Sequence, residues 1–379
     1  MSDASNANSD EVPSGGSSAP SIAPDSNSGG TLRSIQILRF MAAFSVVLFH
    51  AHVALTVGRS SSEPSVVVAR SFGIGASGVH VFFVISGFVM AYTSWRSRST
   101  PRTFLSRRLV RVLPIYWLMA AFYLIAHQIL GTPYRLGPSD AGAALMLWPG
   151  YSGAIIGPGW TLSFEMFFYL SFALCLFLGL RRGLVLLTLA YGGLIAIGQV
   201  FLPASPEMKL ATDPLLLEFL AGAWAGFAFA HNWRLPRRAS AALLAAGAVL
   251  LAGGIWFGYD RLPSVLTWGV PSVMIVVGAL SLEPRQDNRI AVFFAKLGDS
   301  SYFLYLFHIL AIDLLLATPI GELAARDRHA ALLSLAFAII CTVSAAMGYR
   351  LIERPLLSRF RRRAARPLDD RRAASSVDR

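Results

Sequence analysis

The chain has 379 residues, of which 55% are hydrophobic and 14% are charged, and its formal net charge at pH 7 is +12. Soluble globular domains carry about 25% charged residues, so this composition excludes an ordinary soluble domain and indicates a polytopic membrane protein. The basic residues lie in short segments between apolar runs, which indicates a membrane topology signal and argues against a nucleic-acid partner.

Residues 1–33 are rich in Ser, Gly, Pro, Asn and Asp, and we expect a disordered N-terminal tail because they can bury almost nothing. This tail is acidic, and the apolar run that follows it exceeds the core of a signal peptide, which has about 7–15 residues. We therefore expect the first apolar run to remain in the protein as a membrane anchor.

The first apolar run extends from Ile35 to Leu55, and its 21 residues are enough for a helix to cross a hydrocarbon layer about 30 Å thick. It contains Arg39 and His50, whose spacing is close to three helical turns, so both side chains lie on one face roughly 16 Å apart. Such groups are costly inside a bilayer, which makes both residues functional candidates. Two structural alternatives stay open, because Arg39 could extend to the headgroups and His50 could hydrogen-bond to a neighbouring helix.

Apolar runs bounded by charged residues or by Gly/Pro clusters predict an all-α fold, a polytopic membrane bundle of about ten transmembrane helices. Residues 141–157 contain Pro149 and several glycines, so we predict an external, partly inserted loop there. Most of the 33 basic residues then lie on one side of the membrane if both termini are cytoplasmic, in agreement with the positive-inside rule. The ten predicted spans cover residues 35–56, 75–94, 109–130, 160–179, 183–202, 213–231, 239–258, 262–281, 300–318 and 330–352.

We expect one membrane domain over residues 34–356, since no internal repeat is evident, followed by a basic cytoplasmic tail over residues 357–379. Cys175 and Cys341 lie inside apolar runs, so neither a disulfide framework nor a thiolate metal site is expected. No metal cofactor is predicted.

Polar residues recur near the second and third spans. Ser86 stands next to Gly87, a pattern that allows close helix packing and offers a hydroxyl group in an apolar setting. Arg107, Arg108 and Arg111 form a compact cationic patch, because residues three apart share a helix face. A topology signal that contacts anionic lipids explains the same patch.

The fourth span begins with Trp160 and contains Glu165, an intramembrane carboxylate and therefore a functional candidate by default. Glu165 could orient His50, receive a proton or bind a sugar hydroxyl. Glu218 in the sixth span is a weaker candidate of the same kind. In the ninth span the aligned polar residues should point into the bundle, since Ser301, Tyr305 and His308 follow the i, i+4, i+7 pattern of one helix face.

Taken in order, these segments resemble the motifs of the membrane-bound acyltransferase 3 proteins and, within them, the exopolysaccharide O-acetyltransferases of rhizobial type. The matching segments, within residues 34–358, are SIQILRFMAAFSVVLFHA, FFVISGF, RRLVRVLPIYW, WTLSFE, SYFLYLFH and IERP. In this family an aspartate is common at the position of His80, so we expect a structural or accessory role for His80. Glu353 of the IERP segment is expected to be structural, with a coenzyme contact as the alternative.

The resemblance implies a multi-pass enzyme of the bacterial inner membrane. Such an enzyme would move an acetyl or similar short acyl group from cytoplasmic acyl-CoA to a hydroxyl of a cell-surface polysaccharide or its lipid-linked precursor. Imidazole has an ordinary pKa near neutrality, which suits it to take the hydroxyl proton, so His50 is the predicted base or acyl carrier. The expected site residues are His50, Arg39 and Glu165 for catalysis, Arg107, Arg108 and Arg111 for the coenzyme phosphates, and Ser86, Trp160, Tyr302, Tyr305 and His308 for substrate binding.

The competing hypothesis is a transporter or flippase of a glycan or lipid-linked precursor. In that case Arg39, His50, Glu165 and His308 would form a proton relay. The chain lacks the inverted repeats and paired broken helices that many secondary transporters carry. A thioester-cleavage assay separates the two hypotheses, because a transporter releases no free coenzyme A.

Overall fold

Backbone groups inside a bilayer must be paired within the protein, which favours helices wherever a chain crosses it. The computed structural model of the chain describes residues 32–56, 73–257, 262–284, 288–319 and 329–360, and within these ranges all regular secondary structure is helical. The helices are α1 Arg33–Thr56, α2 Ser77–Ser97, α3 Pro101–Ile129, α4 Pro138–Leu145, α5 Trp160–Cys175, α6 Leu180–Val200, α7 Pro206–Ala211, α8 Leu216–Ala230, α9 Arg237–Phe257, α10 Val270–Leu280, α11 Arg289–Asp299, α12 Ser301–Leu316 and α13 Ala330–Gly348.

The predicted all-α membrane fold is confirmed. Among the described residues, eight helical segments are long and apolar enough to cross a bilayer, and α11 with α12, joined at a bend of 63°, would make a ninth. A shorter apolar helix covers Val265–Leu280 and includes α10. Each of the ten predicted spans coincides with one of these segments, although the span predicted at 262–281 is shorter than expected. The cytoplasmic location of both termini stays a prediction.

The two predicted tails fall almost entirely outside the described residues. Of the tail at 1–33 the structure describes only residues 32 and 33, and of the tail at 357–379 only residues 357–360. Helix α1, which carries the first two candidate residues, packs against α2, α11, α12 and α13.

The segment predicted as a partly inserted loop forms no spanning helix. The short helix α4 is followed by turns up to Gly157–Gly159, a single 3-10 turn. Irregular backbone is tolerated at membrane depth where protein groups satisfy it, and here side chains from α3, α5 and the turn after α3 do so. The donors and backbone carbonyl acceptors are Tyr116 to Ala144 at 2.8 Å, Trp117 to Leu145 at 2.9 Å, Tyr134 to Ile155 at 2.8 Å, and Ser163 to Leu147 at 2.7 Å.

Helices α2 and α8 cross closely through glycines on both sides. A Cβ atom at Gly222 would collide with the backbone carbonyl oxygen of Val84, and one at Gly87 with that of Phe219. The close approach that the Ser86–Gly87 pattern predicts is therefore present, and α8 is the partner helix.

Replacing Gly222 with alanine is expected to destabilise the protein by about 1–3 kcal/mol, because overpacking of a tight contact forces the backbones apart. The matched control is Gly193→Ala on α6, where a Cβ atom meets nothing within 4 Å. Thermal unfolding of both variants in detergent measures the difference. Equal unfolding temperatures would show that the α2–α8 crossing tolerates a methyl group.

Candidate active site

The two histidines of the predicted site meet between α1 and α12. His308 Nε2 lies 3.3 Å from His50 Nδ1, and the ring centroids are 5.0 Å apart. His308 is fully buried, whereas His50 is half-buried. We call these two residues the histidine pair. Their side chains come from residues 258 positions apart in the sequence.

The backbone fixes the proton arrangement of His50. Its Nδ1 lies 2.9 Å from the carbonyl oxygen of Val46, one turn earlier in α1. A carbonyl oxygen can only accept, so Nδ1 carries the proton and donates it. In the neutral imidazole this leaves Nε2 with the free lone pair. His50 is therefore held in the tautomer whose Nε2 can take a proton or attack a carbonyl carbon.

Arg39 lies in the same uninterrupted helix as His50, as the sequence predicts, and a hydrogen-bonded relay holds it. Its Nη1 donates to Gln36 Oε1 at 2.9 Å, and Gln36 Nε2 donates to Asp299 Oδ1 at 2.7 Å. Asp299 ends α11 at the bend before α12. The relay therefore ties the guanidinium to the broken helix pair that also carries His308.

Arg108 and Arg111 are half-buried on α3, whereas Arg107 is exposed. Arg108 Nη2 donates to Thr93 Oγ1 at 2.9 Å, and its guanidinium lies 5.5 Å from the centroid of the Phe104 ring. These contacts fix the guanidinium but use only one of its five N–H groups. Arg108 therefore keeps donors for a ligand.

Arg39, Arg108 and Arg111 form what we call the arginine end of the site. Arg111 lies within electrostatic reach of both Arg39 and Arg108. Among the described residues, no carboxylate lies within 4.0 Å of any of the three, and the two ion pairs there are His80 with Glu218 and His127 with Asp313. Guanidinium groups without a carboxylate partner match the charge and fork geometry of phosphate oxygens.

Two carboxylates, the buried Glu353 and the half-buried Asp299, offset part of this positive charge from a distance. Glu353 is 4% exposed and lies within electrostatic reach of Arg39 and Arg111. Asp299 also lies within reach of both arginines. The structure thus brings Glu353 of the IERP segment beside the arginine end, although the sequence favours a structural role for it.

Glu165 bonds to a different set of residues from His50. Its Oε1 accepts a hydrogen bond from Ser86 Oγ at 2.8 Å and another from the Tyr169 hydroxyl group. Glu165 is within electrostatic reach of Arg108. The structure therefore brings together Glu165 and Ser86, two of the predicted site residues, near the arginine end. The direct partners of His50 are His308 and a backbone carbonyl.

The three predicted aromatic residues occupy different positions along the site. Tyr302 donates to the carbonyl oxygen of Val112 at 3.0 Å, and the Tyr305 hydroxyl lies 2.9 Å from Thr161 Oγ1. The Tyr305 and His308 rings are 5.9 Å apart, as expected for two positions on one face of α12. Trp160, by contrast, is 44% exposed at the start of α5.

His80 and Glu218, which the sequence leaves without a definite role, form a buried pair. His80 Nδ1 lies 2.6 Å from Glu218 Oε1, and the His80 ring lies 5.2 Å from the Trp268 ring. This pair joins α2 to α8. Its two members are 138 residues apart, so no sequence spacing could have paired them.

The sequence analysis assigned no site role to Asp299, Thr93, Tyr123 or Tyr169. Each is a polar residue in or beside an apolar run, which is the only signal that the sequence gives. Within the described ranges, no three His, Cys, Asp or Glu side chains come together as a metal site.

The chain matches a family model described as an acyltransferase domain over residues 32–349. It is similar to the exopolysaccharide production protein ExoZ of Rhizobium meliloti (strain 1021), with 34% identity over 308 residues that cover 77% of this chain and 92% of that protein. It is also similar to the acyltransferase MdmB of Streptomyces mycarofaciens, with 27% identity over 372 residues that cover 88% of this chain and 93% of MdmB. No solved structure matches the chain.

Proposed function

This chain belongs to the acyltransferase family whose model it matches, and from that premise we propose the reaction that it catalyses. The enzyme, an integral membrane protein, moves an acetyl or similar short acyl group from cytoplasmic acyl-CoA to a hydroxyl of a cell-surface polysaccharide or its lipid-linked precursor. The observation that carries this proposal is the histidine pair, in which His50 Nδ1 is committed to a backbone carbonyl and Nε2 is the basic nitrogen.

The donor binds at the arginine end. Arg108 and Arg111 hold the coenzyme phosphates through paired N–H donors, and the exposed Arg107 adds charge at the entrance. Arg39 lies roughly 16 Å along α1 from His50. The extended pantetheine arm of the coenzyme spans this interval, so that its thioester reaches the histidine pair. Thr93 and Phe104 hold the Arg108 guanidinium, and Glu165, which Ser86 fixes, adds negative charge within electrostatic reach of it.

At the histidine pair, His50 Nε2 takes the proton of the acceptor hydroxyl as its oxygen forms a bond to the thioester carbonyl carbon. The C–S bond then breaks, and the leaving thiolate receives the proton from the imidazolium. His308 contacts His50 Nδ1 and steadies the ring throughout. In the alternative sequence of steps, Nε2 attacks the thioester carbonyl carbon and coenzyme A leaves as the thiolate. The acceptor hydroxyl oxygen then takes the acyl group from the acyl-histidine, and its proton passes to the released Nε2 and from there to the thiolate.

The acceptor class follows from the relative whose name refers to exopolysaccharide production. The exposed Trp160 and the ring of Tyr305 offer aromatic faces to a sugar, and Tyr302 lies about one turn before Tyr305 in α12. We place the enzyme in the bacterial inner membrane with both termini in the cytoplasm, which sets the arginine end on the side where acyl-CoA is made.

The proposal is tested with the purified protein in lipid nanodiscs, labelled acetyl-CoA and de-O-acetylated polysaccharide. We expect release of free coenzyme A together with label in the polysaccharide. Mass spectrometry of surface glycans from cells with and without the chain extends the test to the natural acceptor. If coenzyme A is never released while a lipid-linked sugar crosses the membrane, the protein is a transporter and the proposal is wrong.

A further inference from the structure

Tyr123 of α3 hydrogen-bonds to the backbone of α12 on both sides of His308. Its hydroxyl donates to the carbonyl oxygen of Leu306 at 3.0 Å and accepts from the backbone N–H of Leu310 at 2.9 Å. The side chain of Tyr123 is 1% exposed, so water does not compete for these groups. His308 lies midway between the two backbone groups in the sequence.

The carbonyl of Leu306 and the N–H of Leu310 are four residues apart in α12. In an uninterrupted α-helix the N–H of residue 310 pairs with the carbonyl of residue 306, four positions earlier. The phenolic oxygen of Tyr123 lies within hydrogen-bond distance of both members of that pair. Insertion of a side chain into the i→i−4 ladder is one of the known causes of local helix distortion. The hydroxyl therefore takes part in the geometry of the helical turn that carries His308.

The contact between His308 and His50 depends on this helical turn and is sensitive to small shifts of α12. His308 Nε2 lies 3.3 Å from His50 Nδ1, which is beyond the usual range of 2.7–3.2 Å or so for a nitrogen donor. A shift of a few tenths of an ångström in α12 would break it. One turn further along α3, His127 Nε2 lies 3.4 Å from Asp313 Oδ2, so a second contact between the same helices fixes their register.

We propose that Tyr123 is a positioning residue for acyl transfer, which acts by holding the α12 turn that presents His308 to His50. This role rests on the proposed function, because it assigns Tyr123 to the same histidine pair. Tyr123 itself touches neither histidine through its hydroxyl. Its effect passes through the backbone of residues 306–310, so loss of the hydroxyl group alone should displace His308.

The first test compares Tyr123→Phe with Tyr116→Phe. Both tyrosines are buried on α3 and donate to a backbone carbonyl, but Tyr116 bonds to Ala144, away from α12. We expect kcat for acetyl transfer to fall about tenfold or more in Tyr123→Phe, because small misplacements of catalytic groups cost up to roughly a hundredfold. KM for acetyl-CoA should stay unchanged, and Tyr116→Phe should remain close to wild type. Equal kcat in the two variants would overturn the proposal.

The second test does not depend on activity. Diethyl pyrocarbonate modifies accessible imidazole nitrogens, and mass spectrometry of the peptides gives the rate at each histidine. The His308 ring packs against the His50 ring, with centroids 5.0 Å apart, so displacement of His308 opens space around His50. We therefore expect modification of His50 to rise several-fold in Tyr123→Phe and to stay unchanged in Tyr116→Phe, with the exposed His231 as the internal reference. If His308→Gln gives the same rise and the double variant gives no further rise, Tyr123 acts on His50 through His308.

The outcomes separate the two proposals. If the wild-type protein transfers no acetyl group but His50 modification still rises in Tyr123→Phe, the proposed function fails and the positioning link stands. If the rate at His50 is unchanged, the positioning link fails. Should Tyr123→Phe not fold, p-aminophenylalanine at position 123 supplies a donor with a weaker acceptor. We then expect intermediate kcat and intermediate His50 modification, and wild-type values for both would contradict the role of Tyr123.

Discussion

Replacing His50 with alanine is expected to abolish acyl transfer while the protein remains inserted and folded. His50 Nδ1 is bound to the Val46 carbonyl, so Nε2 is the one nitrogen of this ring free to accept a proton. General-base catalysis contributes about 10²–10⁴-fold to a rate, and an acyl-histidine route would lose its nucleophile altogether. The activity of His50→Ala should therefore fall by at least about 10²–10⁴-fold. The measurement is release of coenzyme A and transfer of labelled acetyl to polysaccharide.

The matched control is His52→Ala in the same helix. His52 lies two positions beyond His50, which is about 200° around the helix, so it faces away from the histidine pair. It is also a buried histidine, at 5% exposure, and its replacement should cost much less activity. Gel filtration and thermal unfolding are used to check that both variants fold. Robust O-acetylation by a well-folded His50→Ala variant would remove His50 from the mechanism.

The sequence predicts the fold where each helix is marked by its own long apolar run. The run from Ile35 to Leu55 is apolar and long enough to span, and the structure has a continuous helix there, Arg33–Thr56. The sequence does not reveal α11, which is basic and amphipathic. Its polarity comes from Arg289 and Lys296, but its apolar face packs against α1. An amphipathic helix of this kind has no long apolar run to mark it.

The sequence predicts the relative positions of site residues only when they belong to the same helix. The spacing of Arg39 and His50 could be interpreted because the helical period fixes the relative positions of residues in the same helix. Contacts between helices depend instead on crossing angles and on small residues that no single period encodes. For this reason the sequence could not place His308 beside His50, or Glu165 beside Ser86. The same limit applies to Tyr123, which acts on a helix 183 residues away.

The second large effect is expected at the arginine end, where Arg108→Lys and Arg111→Lys should weaken binding of the acyl donor. Lysine keeps the charge but loses the planar fork, so topology and lipid attraction should survive the change whereas bidentate phosphate bonding should not. Loss of one charge-assisted contact costs about 1.5–3 kcal/mol, which is roughly a ten- to hundredfold loss of affinity. Isothermal titration calorimetry of the detergent-purified variants with coenzyme A measures it directly.

The control for this prediction is Arg102→Lys, an exposed arginine near the start of the same helix, which should bind coenzyme A as the wild type does. Arg108 should show the larger loss of the two, because its contacts to Thr93 and Phe104 already hold the guanidinium in place and a lysine ammonium cannot reproduce them. A labelling test of residues 95–109, where α2 ends and α3 begins, must also find this segment on the cytoplasmic side. If affinity is unchanged in both variants, the patch is only a topology signal. The donor phosphates must then bind elsewhere, with Lys296 and Arg354 the next residues to replace.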